Sequence, residues 1–330
     1  MEFLFDYGLF LAKAVTVVIA IGAVLVMVLM AAVKPKAGKG SLNFDDLSAD
    51  YQETLHGLQQ ELLGKKAFKQ WLKQQKQVEH EDQKRLFVID FDGSMDASEV
   101  TALREEVTAV LAVATAEDEV LLRLESGGGV VHGYGLAASQ LDRLKQQKIP
   151  LTVAVDKVAA SGGYMMACIA DKIIAAPFAI IGSIGVVAQL PNFHKLLKKN
   201  HIDVEQFTAG EFKRTVTVFA ENTDKGREKF QRELEETHVL FKDFVKQHRP
   251  VLEIDDVATG EHWFGYQAIS LKLVDELKTS DDYLLTAMQQ RRVYQVKFEL
   301  KKSFAQKAGL SVAAVIQVLV QQVNRLVIWR

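Results

Sequence analysis

At 330 residues, with 48% hydrophobic and 25% charged positions, the chain is long enough for one large domain or two small ones and carries an apolar excess over an ordinary globular composition. A formal charge of -2 and a pI near 6.5 supply no basic field of the kind nucleic-acid binding needs, so nucleic acid is set aside as a partner. The single cysteine, Cys168, excludes an intrachain disulfide framework and a cysteine-based zinc site; inside an apolar helix it reads as inert packing.

In chain order, residues 14–33 come first and contain no charge. About 20 residues at 1.5 Å rise span about 30 Å, the thickness of a bilayer's hydrocarbon core, so this stretch is expected to be a transmembrane helix through which the lipid bilayer is a partner. The acidic start, Glu2 and Asp6, and the length of the run argue for a retained anchor over a cleaved signal peptide. Lys34, Lys36 and Lys39 follow, and by the positive-inside rule they would hold the C-terminal side in the cytoplasm, a rule that weakens before a long domain. Residues 1–40 thus read as anchor and basic linker. Residues 41–84, with Gln, Lys and Glu around Leu55, Leu58, Leu62, Phe68, Trp71 and Leu72, read as a polar region of amphipathic helices.

"RLFVIDF", Arg85 to Phe91, is the first buried-strand signal. A helical stretch at 96–115, a strand at 119–124, a helix at 132–147, a strand at 150–155, a helix at 162–170, a strand at 172–176 and an extended apolar stretch around 180–188 follow. Strands alternating with helices predict an α/β domain with a largely parallel sheet. In such sheets sites gather beyond the carboxyl ends of the strands, where the glycine loops 126–129 and 161–163 both fall. Downstream, 224–248 reads as a charged amphipathic helix, 264–277 as another helical stretch and 293–300 as a strand, which closes a domain spanning 85–300. The terminal 301–330 segment reads as an amphipathic helix for oligomer packing or for lying on a membrane surface.

Ser161, in "VAASGGYMMACIADKII", either N-caps the helix that follows it or acts as a nucleophile. A serine hydroxyl attacks only when a base takes its proton and donors receive the oxyanion. The helix start offers the Gly162 N–H, and "ESGGGV", 125–130, offers a backbone that can approach a substrate without a Cβ in the way, with Gly129 as second donor. The histidines His194, His201, His238, His248 and His262 lie in no motif that marks a base; His194 and His201 bracket "KLLKKN" on an amphipathic stretch and read as surface residues. A lysine base is the other option. Its amine, with a free pKa near 10.4, is only about 0.04% neutral at pH 7, and lowering that pKa to about 7 takes about 4.6 kcal/mol of environmental bias. Lys213, in "FTAGEFKRTVTVF", has apolar and β-branched neighbours, with Glu211 and Arg214 as nearby charges.

Taken in order, "ESGGGV", "VAASGGYMMA", "IIGSIGV", "FTAGEFKR" and "GEHWFGYQAISLKLVDEL" resemble the signal-peptide peptidase A family of serine peptidases over about residues 85–290. The resemblance implies a Clp protease/crotonase-like spiral of ββα units and a membrane-anchored endopeptidase working through an acyl-enzyme. In it Ser161 is the nucleophile, Lys213, 52 residues later, the general base, and Ser183 in "GSIG" the hydroxyl that orients the lysine. Gly129 and Gly162 form the oxyanion hole. No cofactor or metal is implied. The substrates implied are signal-peptide remnants or other membrane-derived peptides, in a homo-oligomer whose sites are enclosed, and the location is the inner membrane of a bacterium with the catalytic domain on the periplasmic face, opposite to the linker charges. Two positions depart from the pattern. Gly127 stands where the family usually has proline, which leaves the choice between Gly128 and Gly129 open, and Lys272 stands where glycine is common. Two other readings keep the same fold: a noncatalytic membrane scaffold, and a crotonase-like acyl-CoA enzyme.

Overall fold

The computed structural model describes residues 40–75 and 84–299, together with residues 7, 8, 10, 11, 13, 15 and 16. The expected span 14–33, apart from residues 15 and 16, and the expected terminal helix 301–330 lie outside the described residues; among those described, no helix is long and apolar enough to cross a membrane. The chain divides into two compact units, Met1–Ser41 with Glu299–Arg330, and Leu42–Phe298. The second carries the sheet.

The fold is mixed α/β around a central, largely parallel sheet, as the alternation predicts. Its elements in chain order are β1 (Ser41–Asp46), α1 (Leu47–Leu62), α2 (Lys65–Gln75), β2 (Arg85–Gly93), α3 (Val100–Val113), β3 (Glu119–Ser126), α4 (Val131–Gln146), β4 (Leu151–Val155), β5 (Val158–Ala160), α5 (Gly162–Ala167), β6 (Lys172–Ala175), β7 (Ile180–Gly182), α6 (His194–Lys199), α7 (Asp224–His248), α8 (Ile254–Val257), β8 (His262–Phe264), α9 (Gly265–Ala268), β9 (Glu276–Leu277), α10 (Ser280–Ala287) and β10 (Arg292–Glu299). The main path of the sheet runs β1-β10-β2-β3-β4-β6-β9. A branch leaves it at β3, which pairs with β5; β5 pairs with β7 in parallel, and β7 with β8 antiparallel.

The period-2 alternation of side chains decides which face each strand residue serves. From β2 and β3, Phe87, Ile89, Phe91, Leu122 and Leu124 join the main core with Leu103, Val107 and Val110 of α3 and Leu141 and Leu144 of α4. Leu86, Val88 and Leu121 point the other way, into a smaller core closed by Leu284 and Ala287 of α10. Both faces of the central strands are therefore buried, which is why they read as unbroken apolar runs. Helix starts follow their capping residues: Thr223 accepts from the Gly226 N–H at 3.1 Å and Thr279 from the Asp282 N–H at 3.2 Å.

Two stretches differ from the sequence reading. Ser41–Asp46 is a strand neighbouring β10, although "SLNFDD" carries no clean alternation; the sheet edge supplies the partner that its own pattern does not announce. The helix expected over 264–277 is one turn, Gly265–Ala268, followed by a turn and the short β9. Lys272, at φ 60°, takes the left-handed conformation that ends a helical path. Leu273 and Val274 then sink into the core, and the buried Tyr164 hydroxyl donates to the Leu273 carbonyl at 2.9 Å.

Candidate active site

Three parallel strands end side by side, and the sequence-marked residues sit just beyond them. Register pairs Ser126 of β3 with Ala159 of β5, and Ala160 of β5 with Gly182 of β7. Ser161 and Ser183 are thus the next residues on two neighbouring strands, and the Ser161 N–H donates to the Gly182 carbonyl at 2.8 Å. Both serines turn sharply, at φ 53° and φ 50°. A non-glycine residue there costs on the order of 1–3 kcal/mol and persists where the surroundings impose it, most often at functional sites.

Ser161 occupies the N-cap position of α5, yet its side chain makes no capping hydrogen bond. The helix-cap reading therefore does not explain the serine. Its backbone is bent into a strand-to-helix elbow, its carbonyl accepts from the Met165 N–H at 3.0 Å, and it is half-buried at the start of a helix whose six residues are all buried.

The glycine loop closes over this elbow. Gly128, at φ 88°, comes so near that a Cβ built on it would lie 2.7 Å from both the Ser161 Cβ and the Gly162 nitrogen; only glycine fits. The Gly128 N–H is engaged, donating to the Ser126 hydroxyl at 3.1 Å. Among the described residues, neither the Gly129 N–H nor the Gly162 N–H has an acceptor. Gly129 is held from its other side, because Val130 donates to the Met95 carbonyl at 2.9 Å and a Cβ on Gly129 would strike that same carbonyl.

Beneath Gly162 stands a residue that the sequence did not mark. Tyr134 of α4 is fully buried; a Cβ on Gly162 would lie 2.4 Å from its ring, so α5 rests directly on that ring. Its hydroxyl donates to the Ser94 carbonyl at 2.8 Å and lies 2.5 Å from the buried Ser126 hydroxyl. With the tyrosine proton on Ser94, Ser126 donates to the tyrosine and accepts from Gly128, a continuous chain from the loop to the core. Burial raises the Tyr134 pKa, which keeps this donor protonated. An aromatic residue on an amphipathic helix ordinarily reads as core, so local sequence held no signal for this support.

Ser183 is half-buried and its N–H donates to the Glu261 carbonyl at 2.7 Å. Lys213 is exposed, in a turn where its N–H donates to the Gly210 carbonyl at 3.2 Å; among the described residues no hydrogen bond joins its amine to Ser161 or Ser183. From Val187 to Arg214 every residue is exposed except the half-buried His194 and Leu197, and the stretch carries Val187, Leu196, Ile202 and Phe207 in the open. No histidine bonds to Ser161 among the described residues; the ring of His238 meets the Ile184 carbonyl at 3.2 Å instead. Cys168 is fully buried, its thiol pushed up to about 12 by desolvation, in keeping with inert packing.

Residues 2–141 match Peptidase family S49 N-terminal, and residues 143–294 match Peptidase family S49. The chain is 55% identical over 326 residues to Probable protease SohB of Haemophilus influenzae, covering 93% of this chain and 92% of that protein. The chain belongs to peptidase family S49. Probable protease SohB of Buchnera aphidicola subsp. Schlechtendalia chinensis, 49% identical, covers 87% of this S49 chain and all of its own length. Among solved structures, a variant of 1510-N membrane-bound stomatin-specific protease is 13% identical, with a TM-score of 0.41 over 62% of this chain and 84% of that one. Membership of family S49 makes peptide-bond hydrolysis the chemistry against which the elbow and the glycine loop are read.

Proposed function

We propose that this chain is a membrane-anchored serine endopeptidase in which Ser161 attacks the peptide carbonyl and Lys213 takes its proton. Ser183 orients the lysine amine, and the Gly129 and Gly162 N–H groups receive the oxyanion. The observation that carries the reading is the uncapped, strained Ser161 at an elbow flanked by two unengaged backbone donors. Because the Gly128 N–H is spent on Ser126, Gly129 is the better second donor. The reaction is acyl transfer: Ser161 Oγ bonds to the carbonyl carbon, the amine leaves with the proton held by Lys213, and water releases the acyl group.

Lys213 is exposed in the single chain, and a lysine that serves as a base needs a water-poor surrounding. A homo-oligomer supplies it: the exposed apolar residues of 187–214 lie on the lysine's own segment and suit burial against another copy. Around the glycine loop, Met95, Val130 and Val131 are exposed and fit an apolar peptide, consistent with signal-peptide remnants or other membrane-derived substrates. The succession β4-β5-α5 and then β6-β7 supports the Clp protease/crotonase-like spiral of ββα units. Residues 14–33 serve as the bilayer anchor in this reading, with the catalytic domain on the periplasmic face.

The test is labelling of the full-length protein in detergent by a fluorophosphonate probe. Wild type labels at Ser161, Ser161→Ala does not, and Lys213→Ala labels at least about a hundredfold more slowly. Labelling that persists in Ser161→Ala overturns the assignment; a wild-type protein that neither labels nor cleaves peptides is the noncatalytic scaffold.

A further inference from the structure

We propose that α2, Lys65–Gln75, lies by its lysine face on the headgroups of an anionic bilayer. In "KKAFKQWLKQQ" four of eleven residues are lysine and none is acidic, in a chain whose net charge is -2. At 3.6 residues per turn, Lys65, Lys66, Lys69 and Lys73 fall within an arc of about 100°, and Phe68, Trp71 and Leu72 fall outside it. The apolar side is already in use: all three are half-buried, Trp71 meets His56 of α1 edge-on at 5.2 Å, and Phe68 stacks on Trp71 at 6.0 Å. What faces outward is the basic arc, with all four lysines exposed.

Some lysines elsewhere are matched, such as Lys157 with Glu125, Lys172 with Glu276 and Lys242 with Asp255, while Lys195, Lys198 and Lys199 of the short α6 have no ion pair among the described residues. Among the described residues no carboxylate pairs with any of the four on α2. A concentrated, unmatched positive face fits a negative surface, and the surface within reach is lipid. Only the seven residues 34–40 separate the expected span from β1, at most about 25 Å of extended chain, so the inference rests on 14–33 being a span. Leu62, 77% exposed and three residues before Lys65, adds an apolar side chain beside the lysines that can enter between headgroups.

Hydrogen exchange on the full-length protein in nanodiscs tests this, with phosphatidylcholine alone or mixed with phosphatidylglycerol. Amides of 65–75 are expected to exchange about tenfold more slowly in the anionic discs, each lysine near such a surface being worth about a fivefold change in binding. High salt should remove the slowing. So should the K65Q/K66Q/K69Q/K73Q variant, with exchange in β2–β4 unchanged. Equal exchange in the two lipids overturns the proposal. So does slowing that survives high salt or the quadruple variant, which marks an apolar or protein contact. Failure of the chain to insert into either disc overturns the span and the docking together, whereas insertion without lipid-dependent slowing overturns the docking alone.

Discussion

Replacing Glu106 by glutamine should make the protein more stable at alkaline pH. Glu106 lies on α3, 4% exposed, and its carboxylate accepts from the Phe298 N–H at 2.8 Å, which fastens β10 near its end. Desolvation drives its pKa up, Asp90 nearby adds to the rise, and the Phe298 N–H and Lys297 oppose it; the result is about 7, against an ordinary 4.5. The folded state therefore binds this proton more tightly than the unfolded chain. Stability from this group is full below about pH 4.5 and is lost as pH climbs through 7. At 1.36 kcal/mol per pH unit the loss amounts to about 3 kcal/mol. Glutamine keeps an oxygen for Phe298 and has no charge to desolvate. Denaturant unfolding of the full-length protein in detergent between about pH 5 and about pH 9 should show Glu106→Gln gaining about 2–3 kcal/mol over wild type at the alkaline end and little at the acid end. A gain that is the same at every pH, or absent at the alkaline end, would refute the reasoning, because it would mean that the carboxylate ionises without penalty.

Three further outcomes are expected. Tyr134→Phe removes the hydroxyl that joins Ser126 to Ser94; it should cost about 1–2 kcal/mol of stability and, if the glycine loop receives the oxyanion as proposed, lower kcat for peptide cleavage far more than it changes KM. Lys272→Gly relieves a φ of 60° and should raise the unfolding free energy by about 1 kcal/mol, read by denaturant titration; a decrease would mean that the lysine's own contacts outweigh its strain. Cys168, buried with its thiol pushed up to about 12, should resist maleimide at pH 8 in the native protein and react only on unfolding, as followed by mass.

What the sequence made legible was what local rules encode. β2, β3 and β4 are apolar runs buried on both faces, and the long α7 announces itself through its polar face and its Thr223 cap. The glycine loop and the elbow were legible too, because a strand that ends in three glycines or in "ASGG" has few other structural uses. The helix expected over 264–277 failed for a tertiary reason: the apolar spacing of Leu271, Leu273 and Val274 suits a helix, but the sheet draws the chain into β9 and the turn at Lys272 breaks the path. Ser41–Asp46 was hidden because an edge strand takes its stability from the strand beside it. Tyr134 was invisible because nothing in its neighbourhood distinguishes a core aromatic from one that carries two glycine-bearing segments.

In the proposed dyad the two partners stand on unlike foundations. The oxyanion side of the site is built from segments that pack within the domain: β3 ends at Ser126, α4 brings Tyr134 under Gly162, and β7 supplies the carbonyl that bends Ser161. These contacts are buried and close-packed, so the elbow is formed before any substrate arrives. Lys213 belongs to an exposed excursion with little core of its own. Catalysis then depends on whatever covers that excursion. The proposed enclosed oligomer would satisfy the requirement, because burial of that segment removes water from its exposed apolar residues. Ser161→Ala and Lys213→Ala proteins should both be inactive for the same reason of missing chemistry, whereas dilution of the wild type to single chains should silence it with every catalytic group intact. Activity per chain that stays constant on dilution through the dissociation of the assembly would refute the dependence on cover.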